Sequence, residues 1–237
     1  MPPTPDSAFP ADFRIGGFQP FSLCDWPGRI AATLFTQGCA LRCGYCHNPH
    51  LIARDGSVLD NVQVLRALHA RRGLIDGVVF SGGEPCLQPG LAAAMETVGT
   101  FGFEVGLHSA GTHPRALRAV LPRVSWLGLD IKAPTGHLRA ITGANCDRRV
   151  AESLAIAVAS GVDLEVRTTW SPALFSAEEL CDLVRALKAQ GVTKFVLQRL
   201  REYSPRRDGK PHWLNAVSPP AALLEQMRGL FSDFELR

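Results

Sequence analysis

Six short apolar runs recur along this chain, and each leads into a loop and then a stretch with helical spacing. The runs cover residues 30–36, 77–81, 103–107, 124–131, 164–169 and 194–200. Strands that alternate with helices over short connections pair in parallel, because each helix carries the chain back to the same end of the sheet. The helices announce themselves by their punctuation. Asn61 stands as a cap before Val62, Leu65 and Leu68, and Pro114 sits where a first turn tolerates proline. Ser176 and Glu179 make a Ser-x-x-Glu capping box ahead of Leu180, Leu183, Val184 and Leu187. Further helices are predicted over 89–98, 148–159 and 219–231. Six units are too few for an eight-stranded barrel, so the pattern predicts an α/β fold: a partial (β/α)6 TIM-type barrel, laterally open. The 237 residues suffice for one such domain. Residues 15–237 are read as that single domain and 1–14 as a flexible, proline-rich lead. Residues 13–21 read as an edge strand or a flap, 24–29 as a Pro-Gly turn and 201–214 as a charged loop.

Charge and cysteine usage narrow the function classes. The formal net charge of +3 gives no basis for a nucleic-acid or membrane partner, and no apolar run approaches a membrane span. Seven cysteines with no basic, apolar secretory start point to a reducing compartment, the cytoplasm, and to metal or core roles.

Cys39, Cys43 and Cys46 form a C-x3-C-x2-C run at the end of the first predicted strand. Three thiolates so spaced suit a tight loop around a metal centre. They could hold three irons of a four-iron cluster and leave one iron open to a substrate or cofactor. Structural zinc is the alternative, with His47 as fourth ligand. Against it, Cys46 and His47 are adjacent, and neighbours in an extended loop point apart. A second loop follows the second strand: Gly82-Gly83-Glu84-Pro85. Ligands bind at the carboxyl ends of parallel strands, so both loops belong on one face.

Together, C-x3-C-x-(aromatic)-C and GGEP resemble the radical S-adenosylmethionine superfamily. The resemblance implies a [4Fe-4S] cluster on Cys39, Cys43 and Cys46, with S-adenosylmethionine on the fourth iron. One electron into the sulfonium would release methionine and a 5′-deoxyadenosyl radical. It also implies that Gly82, Gly83 and Glu84 hold the methionine ammonium and that Tyr45 lies beside the adenine. The Asp130-x-Lys132 pair ending the fourth strand is similar to a D-x-K of glycyl-radical activating enzymes, placed near the cofactor's carboxylate and ribose. Ser109 matches a hydroxyl-bearing position. Pyruvate formate-lyase activating enzyme carries an acid where this chain has His108, so no cation site is implied there. Arg167 lies within the fifth strand, either inward on the cofactor or outward in a salt bridge. Cys24, Cys86, Cys146 and Cys181 stand apart and are not read as ligands.

SLCDWPGRIAATLFTQGCALRCGYCHNPHL, with the later LDIKAP and VRTT, is similar to the activating proteins of anaerobic ribonucleoside-triphosphate reductase. The activating enzyme of pyruvate formate-lyase is also similar. This type implies a glycyl-radical protein as partner, most directly anaerobic ribonucleotide reductase. It also implies a one-electron donor such as flavodoxin or ferredoxin. About 35 residues separate Cys46 from GGEP, too few for an added ferredoxin-like cluster domain. Two other classes stay open. One is a radical enzyme acting on a small molecule such as a deazapurine precursor, where a pocket-closing C-terminal extension is expected. The other is a zinc-stabilised binding module. The basic segment 199–212 is a candidate partner contact or a solvated loop.

Overall fold

A computed structural model describes residues 8–200, 203–205, 211–213 and 217–237. Its strands are β1 (Ile15–Ser22), β2 (Ala31–Thr36), β3 (Gly77–Gly82), β4 (Glu104–Ser109), β5 (Trp126–Asp130), β6 (Asp163–Trp170), β7 (Lys194–Arg199), β8 (Tyr203–Pro205), β9 (Pro211–Trp213) and β10 (Asp233–Leu236). Eight of them form one sheet in the order β1-β2-β3-β4-β5-β6-β7-β10. Neighbours from β2 to β7 pair in parallel, and β10 joins β7 in parallel. β1 is an antiparallel edge strand on β2. The two edges do not meet, so the sheet is a partial barrel with an open side. Six parallel units are present as expected, and β10 is an addition. Within the expected charged loop, β8 and β9 pair antiparallel; of the basic segment 199–212, Arg199 ends β7, and residues 201–202 and 206–210 lie outside the described residues.

The helices are α1 (Asn61–His69), α2 (Leu91–Thr100), α3 (Pro114–Val120), α4 (Leu138–Thr142), α5 (Asp147–Ser160), α6 (Ala177–Ala189) and α7 (Ala221–Leu230). The capping box at Ser176 is formed in both directions. The cap of α1 is Asp60 rather than Asn61: its carboxylate accepts from Val62 N and Gln63 N. Asn61 instead donates to the carbonyls of Pro10 and Phe13. The buried face of α1 accordingly uses Val64, Leu65 and Leu68, not Val62. Residues 8–14, expected within a flexible lead, are packed. Phe9 and Phe13 are buried, and Phe13 lies edge-on to Phe80 with centroids 5.7 Å apart. Aromatic burial outweighs the local proline bias there.

Strand periodicity sorts side chains onto two faces. Phe80, Leu107, Leu129, Val166 and Leu197 point to the helices and belong to the main core. Each contributes roughly 1.5–3 kcal/mol by leaving water. The opposite, concave face holds a separate cluster of Trp26, Ala31, Val79 and Trp126. The expected turn at 24–29 is therefore a plug. It turns Trp26 into the barrel, stacked on Trp126 at 5.7 Å and 18°. Space for it comes from missing side chains: a Cβ on Gly106 would lie 2.9 Å from Trp26 Cε3. Gly106→Ala is expected to cost about 1–3 kcal/mol by overpacking. Urea unfolding checks this, and an unchanged midpoint would mean that the plug relaxes freely.

Candidate active site

The cysteine loop leaves β2 and is shaped by groups other than its sulfurs. Gln37 is 2% exposed, and its Nε2 donates to the carbonyls of His50 and Ala53. Gly38 N donates to Leu51 O, Cys39 N to Ile52 O, and Arg42 N to Thr142 O at the end of α4. Cys39, Cys43 and Cys46 are half-buried and line one cavity of about 380 Å³. That volume lies in the range of small-molecule pockets. Burial pushes the Cys39 thiol up to about 12 and raises Cys43 as well. Among the described residues no three His, Cys, Asp or Glu side chains converge as a single metal ion would need. A tetrahedral zinc set requires that convergence. A four-iron cluster is wider than one ion and takes thiolates at separate corners, so three thiols around one cavity fit it.

The Gly82–Gly83 pair brings this loop and its neighbour together. Gly82 has φ +110°, and a Cβ on it would lie 2.2 Å from Thr36 N. A Cβ on Gly83 would lie 2.2 Å from Gly38 O. The glycines thus admit the backbone at the start of the cysteine loop, and both line the cavity. Glu84 follows this pair. Its carboxylate is fully buried, with its pKa raised by that burial, and lies behind the lining residues Ser109 and Ala110. It accepts from Cys86 N (3.1 Å), Ser109 Oγ (2.9 Å) and Ala110 N (2.9 Å). A buried carboxylate needs such partners, and these tie the GGEP loop to the end of β4. Its backbone is engaged as well, N donating to Gly38 O and O accepting from Leu87 N.

Asp130 is the electrostatic centre of the cavity floor. Its Oδ1 accepts from Arg167 Nε at 2.7 Å and its Oδ2 from Lys132 Nζ at 3.1 Å. Burial pushes its carboxyl up, but Arg167 and Lys132 outweigh that and hold it well below the usual range. Arg167 takes the inward of its two expected placements, with its salt bridge made there and not on the outside. It points inward, lying over Gly128 where a Cβ would meet its Cζ at 2.8 Å, and it is salt-bridged. Tyr45 is 6% exposed and lines the cavity with no hydrogen-bond partner for its hydroxyl. Such an orphan is a mark of a site shaped for something further. Ser109 is buried; besides donating to Glu84 it accepts from Gly111 N at 3.0 Å.

The cavity also takes residues that sequence reasoning passed over: Ser81, Thr169, Gln198, Arg199 and Arg237. The signal for two of them was period two, since Ser81 and Thr169 follow Val79 and Arg167 on the same face. Arg237 was invisible because its anchor is remote. Its guanidinium grips the fully buried Glu165 through two bonds of 2.8 and 2.9 Å. Cys24 is exposed, Cys86 and Cys146 are buried, and Cys181 donates to Gln226 Oε1; none lines the cavity.

Comparison with known proteins bears on this site. A family model described as "Radical SAM superfamily" matches residues 33–187, which span the cysteine loop, GGEP, Asp130 and Arg167. A curated relative from Methanocaldococcus jannaschii, named "Putative glycyl-radical enzyme activating enzyme", is 22% identical over 73% of this chain and 75% of its own. The pyruvate formate-lyase-activating enzyme of Clostridium pasteurianum is 34% identical over 50% of this chain and 52% of its own length. Among solved structures, Streptococcus suis SuiB bound to S-adenosylmethionine has a TM-score of 0.63 at 15% identity, covering 85% of this chain and 48% of SuiB. That likeness is one of fold. The family match covers well over half of the chain, and the open barrel agrees with it. No helix among the described residues is long and apolar enough to cross a membrane. Superfamily membership in turn implies S-adenosylmethionine and a [4Fe-4S] cluster, which the three-thiol cavity suits. This chain belongs to the radical S-adenosylmethionine superfamily and has glycyl-radical activating enzymes among its relatives.

Proposed function

We propose that the chain is a glycyl-radical activating enzyme whose partner is anaerobic ribonucleoside-triphosphate reductase. One observation carries the reading: the three cysteines and the GGEP glycines line a single cavity in a barrel with an open side. A glycine held in a loop of another protein needs such an opening, whereas a small molecule does not. When bound and given one electron by a donor protein, the cluster and S-adenosylmethionine would supply a 5′-deoxyadenosyl radical, chemistry able to take a hydrogen atom from a glycine Cα of the partner.

The chain's own residues bind and orient. Cys39, Cys43 and Cys46 would hold the cluster. Gly82, Gly83 and Ser109 would receive the methionine end, with the Glu84 carboxylate behind Ser109, and Tyr45 would pack on the adenine. Lys132 offers an ammonium to the carboxylate, while Asp130 and Arg167 fix its position. Leu41, Ile52 and Ala110 also line the cavity and limit the water in it. The one-electron donor is a flavodoxin or ferredoxin.

Lys132→Ala is expected to weaken S-adenosylmethionine binding about ten-fold or more, as loss of a charged hydrogen bond does, with iron content unchanged. Titration calorimetry beside an iron assay checks it, and unchanged affinity would remove Lys132 from the site. The function itself is tested by electron paramagnetic resonance. Reduced, reconstituted protein is mixed with S-adenosylmethionine and the reductase, and 5′-deoxyadenosine is quantified. A glycyl-radical doublet on the reductase supports the whole reading. 5′-Deoxyadenosine without a doublet would keep the radical chemistry and overturn the partner, with pyruvate formate-lyase next in line.

A further inference from the structure

The floor of the cavity contains a histidine whose ring nitrogens are both engaged by the protein. His108 lies opposite Gly128 and packs edge-on to Trp126, with centroids 5.3 Å apart. Its Nε2 is 2.8 Å from the backbone oxygen of Asp25. A carbonyl can only accept, so Nε2 carries the proton. Nδ1 is then a bare acceptor, 3.0 Å from Ser81 Oγ, and the serine must donate to it. Ser81 thereby commits its only proton to the imidazole. Its lone pairs remain, and Ser81 lines the cavity immediately before Gly82.

Asp25 is itself held. Its Oδ2 accepts from Thr33 Oγ1 at 2.7 Å, and the adjacent Trp26 is stacked in the barrel. The plug that enters from one end of the barrel therefore sets the tautomer of His108 near the other. A serine hydroxyl free to rotate can offer a donor or an acceptor. Locked onto a neutral imidazole, it offers acceptors alone. An imidazolium would reverse this, since both nitrogens would donate and Ser81 would turn its proton into the cavity.

We propose that Ser81 is an acceptor subsite for a donor group of S-adenosylmethionine, an ammonium or a ribose hydroxyl, and that His108 is the positioning residue that fixes its polarity. This rests on the reading of the cavity as the S-adenosylmethionine site. Three charged groups face the imidazole: Arg167 from β6, Asp130 from β5 and Asp25 from the plug. Burial first, then Arg167, outweigh the two acids and push His108 down to about 3. The serine's polarity is thus fixed throughout the neutral range.

The test uses S-adenosylhomocysteine, which keeps the amino group and ribose but lacks the sulfonium and is not cleaved. Its affinity for reconstituted protein is measured by titration calorimetry. Ser81→Ala is expected to bind about ten-fold more weakly, the net worth of one hydrogen bond, and Ser81→Thr to bind as wild type. His108→Phe keeps the ring contact with Trp126 but frees the Ser81 hydroxyl to rotate, and is expected to lose a smaller factor, about two- to three-fold. The double variant should be no weaker than the weaker single, because both changes remove one interaction. Wild-type affinity should be level from pH 6 to 8. Nitrogen-15 spectra of the cluster-free chain at pH 7 should show the neutral Nε2–H form of His108. Wild-type affinity with Ser81→Ala unaffected, additive losses, or an imidazolium at pH 7 would each overturn the proposal alone. No binding by an iron-replete wild type would overturn the underlying reading and the subsite with it.

Discussion

Replacing Cys43 with alanine is expected to abolish cluster binding while the chain stays folded. The loop is held by Gln37 and by backbone bonds from Gly38, Cys39 and Arg42, none of which uses a sulfur. Losing one thiol therefore leaves the cavity in place and removes a donor from it. Two thiols cannot hold a cubane whose fourth iron is already without a protein ligand. After anaerobic reconstitution the iron content should fall from roughly four per chain to below about one. Far-ultraviolet dichroism should be unchanged. A variant that retains full iron and labile sulfide would remove Cys43 from the ligand set.

Asp130→Ala is expected to be the most destabilising single change at the site, at about 3 kcal/mol. Removing one member of a buried ionic group strands the others, at a typical cost of about 3–5 kcal/mol. Arg167 would keep its charge with a side chain only 8% exposed, and Lys132 at 19%. The lower end of the range applies because Asp130 is itself a quarter exposed. The same group predicts an acid limb. Its folded pKa is depressed, so below the ordinary carboxylate value the unfolded chain binds more protons. The stabilisation is whole above about pH 4 and is lost as the pH falls towards the lowered folded value. Urea unfolding of wild type and variant from pH 3 to 7 measures both effects. Curves separated by less than about 1 kcal/mol at pH 7 would show that solvent already carries the charges.

Strands and ligand loops were legible because their signals are local. A buried parallel strand is a short apolar run, and GGEP and the cysteine run are contiguous in sequence. β10 was not legible, since Asp233–Leu236 alternates exposed and half-buried residues on an edge and carries no apolar run. The cap of α1 was misplaced by one residue because Asp60 and Asn61 are both good caps, and only the remote carbonyls of Pro10 and Phe13 decide between them. Nothing local to GGEP shows how the Glu84 carboxylate is held. Besides Cys86 N, its partners are 25 and 26 residues away, at the end of β4 and just beyond it. Asp130 and Lys132 could be paired by proximity in sequence, whereas the 37-residue reach to Arg167 depends on strand register.

The Trp26–Trp126 stack gives the molecule a built-in optical signature. Two indoles 5.7 Å apart and 18° from parallel are held in one fixed, asymmetric setting. The near-ultraviolet dichroism of this pair, which needs indoles held rigidly in one setting, exists only while the loop at 24–29 is seated in the barrel. Its amplitude reports that one tertiary contact, separately from the helix signal. In an apo chain it would distinguish a barrel with a docked plug from one whose interior is open, before any iron is added.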